Sequence, residues 1–154
     1  MKRLFKSFIC AGRGFWYCVR HERHFRIHLV ITAYVLAITP SFSLSRGEWT
    51  ALLTIIALVV TTEGINTAIE RAIDISAKNP HPLVQIAKDA AAGAVLFCAM
   101  ISVIIAGILF YRPDELLELL LQLKEVPWKL LLLVVSIPAS LLFVFRGGAK
   151  NKKN

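Results

Sequence analysis

The sequence predicts an all-α integral membrane protein, with an amphipathic surface helix at the N-terminus followed by helices that cross a bilayer. Hydrophobic residues make up 56% of the chain and charged residues only 18%, whereas charged residues form about a quarter of an ordinary soluble domain. The mean hydropathy is +0.64, and long apolar runs alternate with short polar links. These observations favour a single membrane domain.

The formal net charge of +8 is concentrated in residues 2–26 and 146–153. A nucleic-acid-binding protein would carry such charge on a soluble basic face, which this apolar chain lacks, so we expect no nucleic-acid partner. Three cysteines (Cys10, Cys18 and Cys98) show no Cys-x-x-Cys spacing. Neither a disulfide nor a zinc site is therefore indicated, and the N-terminus lacks the pattern of a secretory signal peptide.

The first 20 residues predict a helix that lies in the plane of the membrane surface. Apolar side chains recur there at helical spacing, and basic side chains such as Lys6 and Arg13 lie between them. An apolar face opposite a basic face is typical of interfacial helices.

Four apolar runs then predict a three-helix transmembrane core and one further C-terminal helix: 29–45, 49–70, 90–111 and 128–145. The first run, with about 17 residues, is near the lower limit for crossing a bilayer. The last contains Pro138 and could also be a re-entrant or interfacial segment. The link after the second run contains two prolines, Pro80 and Pro82, which cannot continue a helix.

The distribution of Lys and Arg predicts that both termini lie in the cytoplasm. The segments 1–28, 71–89 and 146–154 are basic and share one side if the four runs cross the membrane. The remaining links, 46–48 and 112–126, are short or acidic. Basic loops stay on the cytoplasmic side of membrane proteins.

The second apolar run ends in a polar stripe formed by Glu63, Asn66, Glu70 and Asp74. At about 100° per residue these four positions fall on one narrow face of a helix. Ionisable groups at membrane depth are costly and are functional candidates, although a carboxylate or an amide can also hold helices together. This stripe is the main candidate site.

Two further clusters belong to the same predicted side of the membrane. Glu22 lies among histidines and arginines, and Lys88 and Asp89 follow the proline-containing link. Carboxylates from separate segments can share Mg²⁺, a lysine can neutralise phosphate charge, and an embedded carboxylate can take a proton from a lipid hydroxyl. No Walker A motif or kinase glycine-rich loop is present. The combination favours phosphoryl transfer to a lipid alcohol.

Residues 63–74 and 81–95 together closely resemble the prokaryotic diacylglycerol kinase family, and residues 22–28 match the motif before its first span. The resemblance covers about residues 1–111. Within the family, the basic N-terminus and the form Glu-Arg-x-Phe-x-Ile-His resemble the undecaprenol kinase branch. Residues 112–154, an acidic link with a fourth apolar run and a basic tail, depart from the family pattern.

The resemblance implies a homotrimer in the bacterial plasma membrane, with active sites shared between subunits. Such an enzyme uses Mg²⁺ and ATP to phosphorylate undecaprenol or, as the alternative substrate, diacylglycerol. By position, Glu63 would be the general base, Glu22 and Glu70 would hold Mg²⁺, and Asn66 and Asp74 would support the site. The positions implied to contact the nucleotide are Arg3, Cys10, Glu22, Glu70, Asn79, His81, Lys88 and Asp89.

Two other classes of function remain open from the residues alone. Carboxylates within spans also serve transporters and proton relays, but no charged residue continues the stripe towards the opposite membrane face. A catalytically inactive membrane scaffold is the third possibility. The argument against it is the presence together of Glu22, Glu63, Glu70, Lys88 and Asp89.

Overall fold

The computed structural model describes residues 2–76 and 81–146, and all regular structure in these ranges is helical. The helices are α1 (Lys2–His21), α2 (Arg23–Ile38), α3 (Arg46–Ser76), α4 (Pro82–Phe110), α5 (Pro113–Glu125) and α6 (Pro127–Arg146), with a 3-10 turn at Thr39–Ser41. The predicted all-α membrane architecture is confirmed.

Three helices, α3, α4 and α6, are long and apolar enough to cross a membrane by length and composition. The helix α2 contains 16 residues and is about 24 Å long at 1.5 Å per residue, less than the ~30 Å hydrocarbon layer. It begins before the predicted boundary at residue 29 and ends before residue 45. Pro40, in the 3-10 turn that follows, lacks the amide hydrogen needed to continue the α-helix.

The helix α1 coincides with the predicted surface helix. Its N-terminal half exposes large apolar side chains, including Leu4, Phe5 and Phe8. These side chains are not covered by the rest of the described chain, as expected for a helix whose apolar face meets lipid.

The helix α4 begins earlier than the sequence analysis expected. Pro82 occupies its first turn, and His81 is the N-cap, with its Nδ1 accepting a hydrogen bond from the Leu83 amide at 3.2 Å. Proline is well tolerated at this position because the first helical amides have no partner within the helix. Lys88 and Asp89 therefore lie inside α4, not at its beginning.

The acidic link is largely helical. Its helix, α5, begins with a proline, carries acidic residues in its first turn and has Lys124 in its last turn, an arrangement that suits the helix dipole. Arg112 forms an ion pair with Glu48 at 2.5 Å, and its Nη1 donates to the Ser43 carbonyl at 2.8 Å. These contacts attach α5 to the connection between α2 and α3.

The helices pack in a defined order: α4 lies against α3, α2 lies between α3 and α6, and α5 contacts α6. The Tyr34 hydroxyl of α2 hydrogen-bonds the Ser136 and Ser140 hydroxyls of α6, at 2.8 and 3.1 Å. Most large apolar side chains of α4 and α6 are exposed in the isolated chain. These faces are available to lipid or to another subunit.

Candidate active site

The polar stripe of α3 runs from the protein interior to its surface. Glu63 and Asn66 are buried, Glu70 is half-buried, and Asp74 is exposed. Asn66 Nδ2 donates a hydrogen bond to Glu70 Oε1 at 3.3 Å. Asn66 Oδ1 is buried and has no hydrogen-bond partner among the described residues, which leaves one oxygen acceptor free beside the carboxylates.

Glu22 approaches this stripe from the joint between α1 and α2. It is the residue immediately before α2, and its carboxylate forms an ion pair with Arg71 of α3 at 2.5 Å. The negative charges of Glu70 and Glu22 both act on Glu63. The α1–α2 joint and α3 therefore contribute carboxylates that interact electrostatically.

These carboxylates do not form a ready-made metal cage. Within residues 2–76 and 81–146, no group of three or more His, Cys, Asp or Glu side chains is arranged to hold a metal ion. A cation bound here would need oxygen ligands from outside this set, and phosphate oxygens commonly supply them for Mg²⁺.

Arg71 belongs to the site but was not singled out from the sequence. Besides pairing with Glu22, its guanidinium carbon lies 5.9 Å from the centre of the Tyr17 ring of α1. The available signal was its position next to Glu70, as a basic residue among the carboxylates of the stripe. It links α1, the α1–α2 joint and α3.

Lys88 joins the exposed end of the stripe, because its Nζ forms an ion pair with Asp74 at 2.5 Å. Asp89 accepts a hydrogen bond from Gln85 of its own helix at 2.7 Å. His81 lies about two turns before Lys88 and caps α4. Asn79 lies outside the described residues.

The remaining two predicted positions lie on the exposed N-terminal half of α1. The Arg3 carbonyl accepts a hydrogen bond from Ser7, and Cys10 Sγ accepts one from Arg13 at 3.3 Å. Both contacts are local to α1. The structure of the described residues does not join Arg3 or Cys10 to the carboxylates.

The joint that carries Glu22 is fixed by Arg26 and Phe25, both 2% exposed. Arg26 Nη1 donates to the carbonyls of Val19 and Arg20, at 3.4 and 3.1 Å, and so caps the end of α1. Phe25 packs on α3 beside Glu63: a Cβ atom added at Gly64 would lie 3.9 Å from Phe25 Cε2.

An apolar cavity of about 680 Å³ lies between α1, the start of α2 and α3, and Gly64, the residue that follows Glu63, is part of its lining. Its walls include Tyr17, Phe25, Gly64 and Arg71. Cys18 also lines it, and burial followed by the nearby charge of Glu22 raises the pKa of this thiol. The cavity thus presents neutral, largely apolar walls, with a guanidinium at one side.

A sequence model of the prokaryotic diacylglycerol kinase family matches residues 9–110, more than half of the chain. The chain belongs to this family. The match spans α2, α3 and α4 and most of α1, and therefore includes Glu22, Glu63, Glu70 and Lys88. As a member of the prokaryotic diacylglycerol kinase family it is a lipid kinase, with ATP as the phosphate donor.

Individual members of the family give the same assignment. The chain is similar to the undecaprenol kinase of Bacillus subtilis, with 43% identity over 73% of this chain and 91% of that protein. It is 36% identical to the diacylglycerol kinase of Synechocystis over 71% of this chain and 63% of that protein. A diacylglycerol kinase of Helicobacter pylori is 32% identical over 62% of this chain and 74% of that protein. No solved structure gives a significant match.

Proposed function

We propose that this lipid kinase phosphorylates undecaprenol to undecaprenyl phosphate, with Glu63 as the general base. The observation that carries the proposal is the buried Glu63 carboxylate on α3, whose next residue, Gly64, lines an apolar cavity. Such a cavity suits the terminal part of a long apolar alcohol, whose hydroxyl could then reach the carboxylate. The undecaprenol kinase of Bacillus subtilis, similar over most of its length, supports undecaprenol as the substrate.

In this mechanism Glu63 accepts the proton of the lipid hydroxyl as the oxygen attacks the terminal phosphate of ATP, the bond from that phosphate to its bridging oxygen breaks, and ADP leaves. The position of Glu63 on a continuous helix, with Phe25 packed beside it at Gly64, fixes the carboxylate relative to the lipid. General bases of this kind contribute about 10²- to 10⁴-fold to the rate. Asn66 supports the site through its hydrogen bond to Glu70.

Glu22 and Glu70 would hold Mg²⁺. Two carboxylates and the buried amide oxygen of Asn66, which has no partner among the described residues, are hard oxygen donors of the kind that suits this ion, which usually binds one or two carboxylates together with substrate phosphates. When bound, Mg²⁺ neutralises negative charge on the phosphates. Arg71, which lies against Glu22, adds a fixed positive charge on the same side.

The other nucleotide contacts are proposed at His81, Lys88 and Asp89 of α4 and its N-cap, at Asn79, and at Arg3 and Cys10 of α1. Lys88 has the strongest support, because it already pairs with Asp74 at the exposed end of the stripe. Asp74 would thus support the site by orienting this lysine. The nucleotide would then approach from the side on which the stripe opens.

We further propose that residues 1–111 form the kinase unit and that residues 112–154 are an addition to it. The exposed apolar faces of the helices suit a homotrimer in which neighbouring subunits complete each active site. The basic segments suit a bacterial plasma membrane with both termini in the cytoplasm. A diacylglycerol kinase remains the second candidate, supported by the relative in Synechocystis.

Phosphate transfer from radiolabelled ATP with Mg²⁺ tests the proposal. Purified protein in mixed micelles is offered undecaprenol or diacylglycerol, and Glu63→Gln is compared with Glu118→Gln, the same change at an exposed residue of α5. We expect undecaprenol to be labelled by the wild type and by Glu118→Gln. Glu63→Gln should lose turnover by at least about 100-fold yet still bind nucleotide, because a base acts on the chemical step alone.

Each part of the proposal has its own contradicting result. Preferential labelling of diacylglycerol would overturn the substrate while leaving the mechanism intact. Loss of ATP binding in Glu63→Gln would contradict its role as base. No labelling of either lipid by folded wild-type protein would restore the transporter and scaffold alternatives.

A further inference from the structure

A second cavity, of about 360 Å³, lies between the α1–α2 joint and the C-terminal end of α6. Its lining residues are Val19, Arg26, Leu142, Phe143 and Arg146. Two of these five are arginines and none is acidic. None belongs to the carboxylate cluster around Glu63, so the cavity is distinct from the candidate active site.

Arg26 is the unusual member of this lining. It is 2% exposed, and within the described residues only Nη1 has hydrogen-bond partners, which are backbone carbonyls. Nε and Nη2 are buried without a partner among the residues that the structure describes. A guanidinium stays protonated in proteins, and a buried charged donor without an acceptor is costly. The arrangement indicates a site suited to an anion.

The rest of the cavity indicates the kind of anion. Guanidinium groups bind phosphate well, because their planar fork matches two of its oxygens. Leu142, Phe143 and Val19 provide apolar walls beside the two arginines, which suits an amphiphile better than a small ion. Arg146 ends a helix that is apolar enough to cross the membrane, so the cavity lies where lipid phosphates meet such helices.

We propose that this cavity binds the phosphate of an anionic membrane lipid through Arg26 and Arg146, with the lipid chain along Leu142 and Phe143. The site requires α6, which lies beyond the residues that match the family. It does not depend on which alcohol the kinase phosphorylates.

Native mass spectrometry of the full chain in detergent tests this site by titration with phosphatidylglycerol and with phosphatidylcholine of the same chain length. The deciding variant is Arg146→Gln, at the last residue of α6, where the fold is least affected. Arg46→Gln is the matched control, because it removes the same charge from an exposed residue at the first position of α3.

We expect phosphatidylglycerol to bind the wild type more tightly than phosphatidylcholine does. Arg146→Gln should lower the affinity for phosphatidylglycerol by about tenfold, as expected for the loss of one charge-assisted hydrogen bond. Arg46→Gln should leave this affinity unchanged. Arg26→Lys keeps the charge without the planar fork and should also weaken it.

The proposal would be overturned if the wild type bound the two lipids with equal affinity. It would also be overturned if Arg146→Gln and Arg46→Gln lowered the affinity for phosphatidylglycerol equally. Titration with inorganic phosphate separates the two sources of the anion, since displacement of phosphatidylglycerol by phosphate alone would overturn a lipid as the ligand. A carboxylate from a second copy of the chain would instead make Arg146→Gln change the oligomeric state without changing lipid binding, and that result would overturn the proposal as well.

Discussion

Burial changes steeply along the polar face of α3. Glu63 is 4% exposed, whereas the Asp74 side chain, about three turns later, is 50% exposed. In the proposed mechanism the buried carboxylate acts on the lipid, and the exposed carboxylate and its partner Lys88 lie towards the nucleotide. One helix face would then serve both substrates.

Gly64 controls how closely Phe25 approaches this face. An alanine Cβ at this position would be 3.9 Å from the Phe25 ring, an ordinary contact, so Gly64→Ala should retain turnover and gain about 1 kcal/mol of helix stability. A leucine side chain would extend into the ring, and overpacking of this kind costs about 1–3 kcal/mol. We expect Gly64→Leu to lower turnover by more than about tenfold by displacing α2.

Turnover and thermal stability of both variants check this prediction. Gly47→Leu is the control, because a Cβ at Gly47 meets nothing within 4 Å. If Gly64→Leu behaved like Gly47→Leu, close packing at Gly64 would not matter to the site.

Spacing alone predicted the residues that share the face of α3, but not their partners. The alignment of Glu63, Asn66, Glu70 and Asp74 follows from helix geometry, which is local. The ion pair of Glu22 with Arg71 joins residues 49 positions apart and depends on how the α1–α2 joint sits against α3. That register is set by tertiary packing, including the burial of Phe25 and Arg26, and no local pattern records it.

At the scale of the elements, α6 is held to α2 by a small polar cluster between these two apolar helices. Tyr34 contacts two serines of α6, and one of them, Ser136, also donates to its own helix, to the Leu133 carbonyl at 2.8 Å. When an external partner is lost, a serine hydroxyl can still donate a hydrogen bond to a backbone carbonyl of its own helix. The cluster therefore specifies where α6 docks more than it stabilises the protein.

Tyr34→Phe should accordingly destabilise the protein by only about 0.6 kcal/mol, a typical value for a hydrogen bond between membrane helices. The fraction of folded protein during titration with a denaturing detergent measures this change. Tyr111→Phe, at a side chain that is 83% exposed, is the matched control. A loss of several kcal/mol in Tyr34→Phe alone would show that α6 is essential to the fold.

Element boundaries were predicted less well than element types. The surface helix and the apolar helices follow from composition and periodicity, which are strong signals over long segments. The helix α5 was missed because its leucines and acidic residues also fit an exposed link. Its attachment through Arg112 to Glu48 and Ser43 is a long-range contact. The early start of α4 depends on the N-cap His81 and on Pro82 in the first turn. A signal of two residues is too short to be recognised with the same certainty as a long periodic pattern.

At the scale of the whole molecule, the candidate active site uses α1 to α4, while α5 and α6 lie on the other side of α2. We expect a chain without residues 127–154 to fold and to phosphorylate the lipid within a few-fold of the full-length rate, because α6 contributes no residue to the carboxylate cluster. Turnover and size-exclusion behaviour of the shortened and full-length chains, purified in parallel, provide the measurement. An unfolded or inactive shortened chain would make α6 part of the catalytic unit.

The shortness of α2 has a consequence for the bilayer itself. A helix of about 24 Å beside the longer α3 would create hydrophobic mismatch in a bilayer, and a membrane adjusts to a short helix by thinning locally. Lipid headgroups next to α2 would then lie deeper than elsewhere. Because Phe25 of α2 packs beside Gly64, the residue that follows Glu63, this dip would shorten the distance that a lipid alcohol must travel from the membrane surface to the proposed general base.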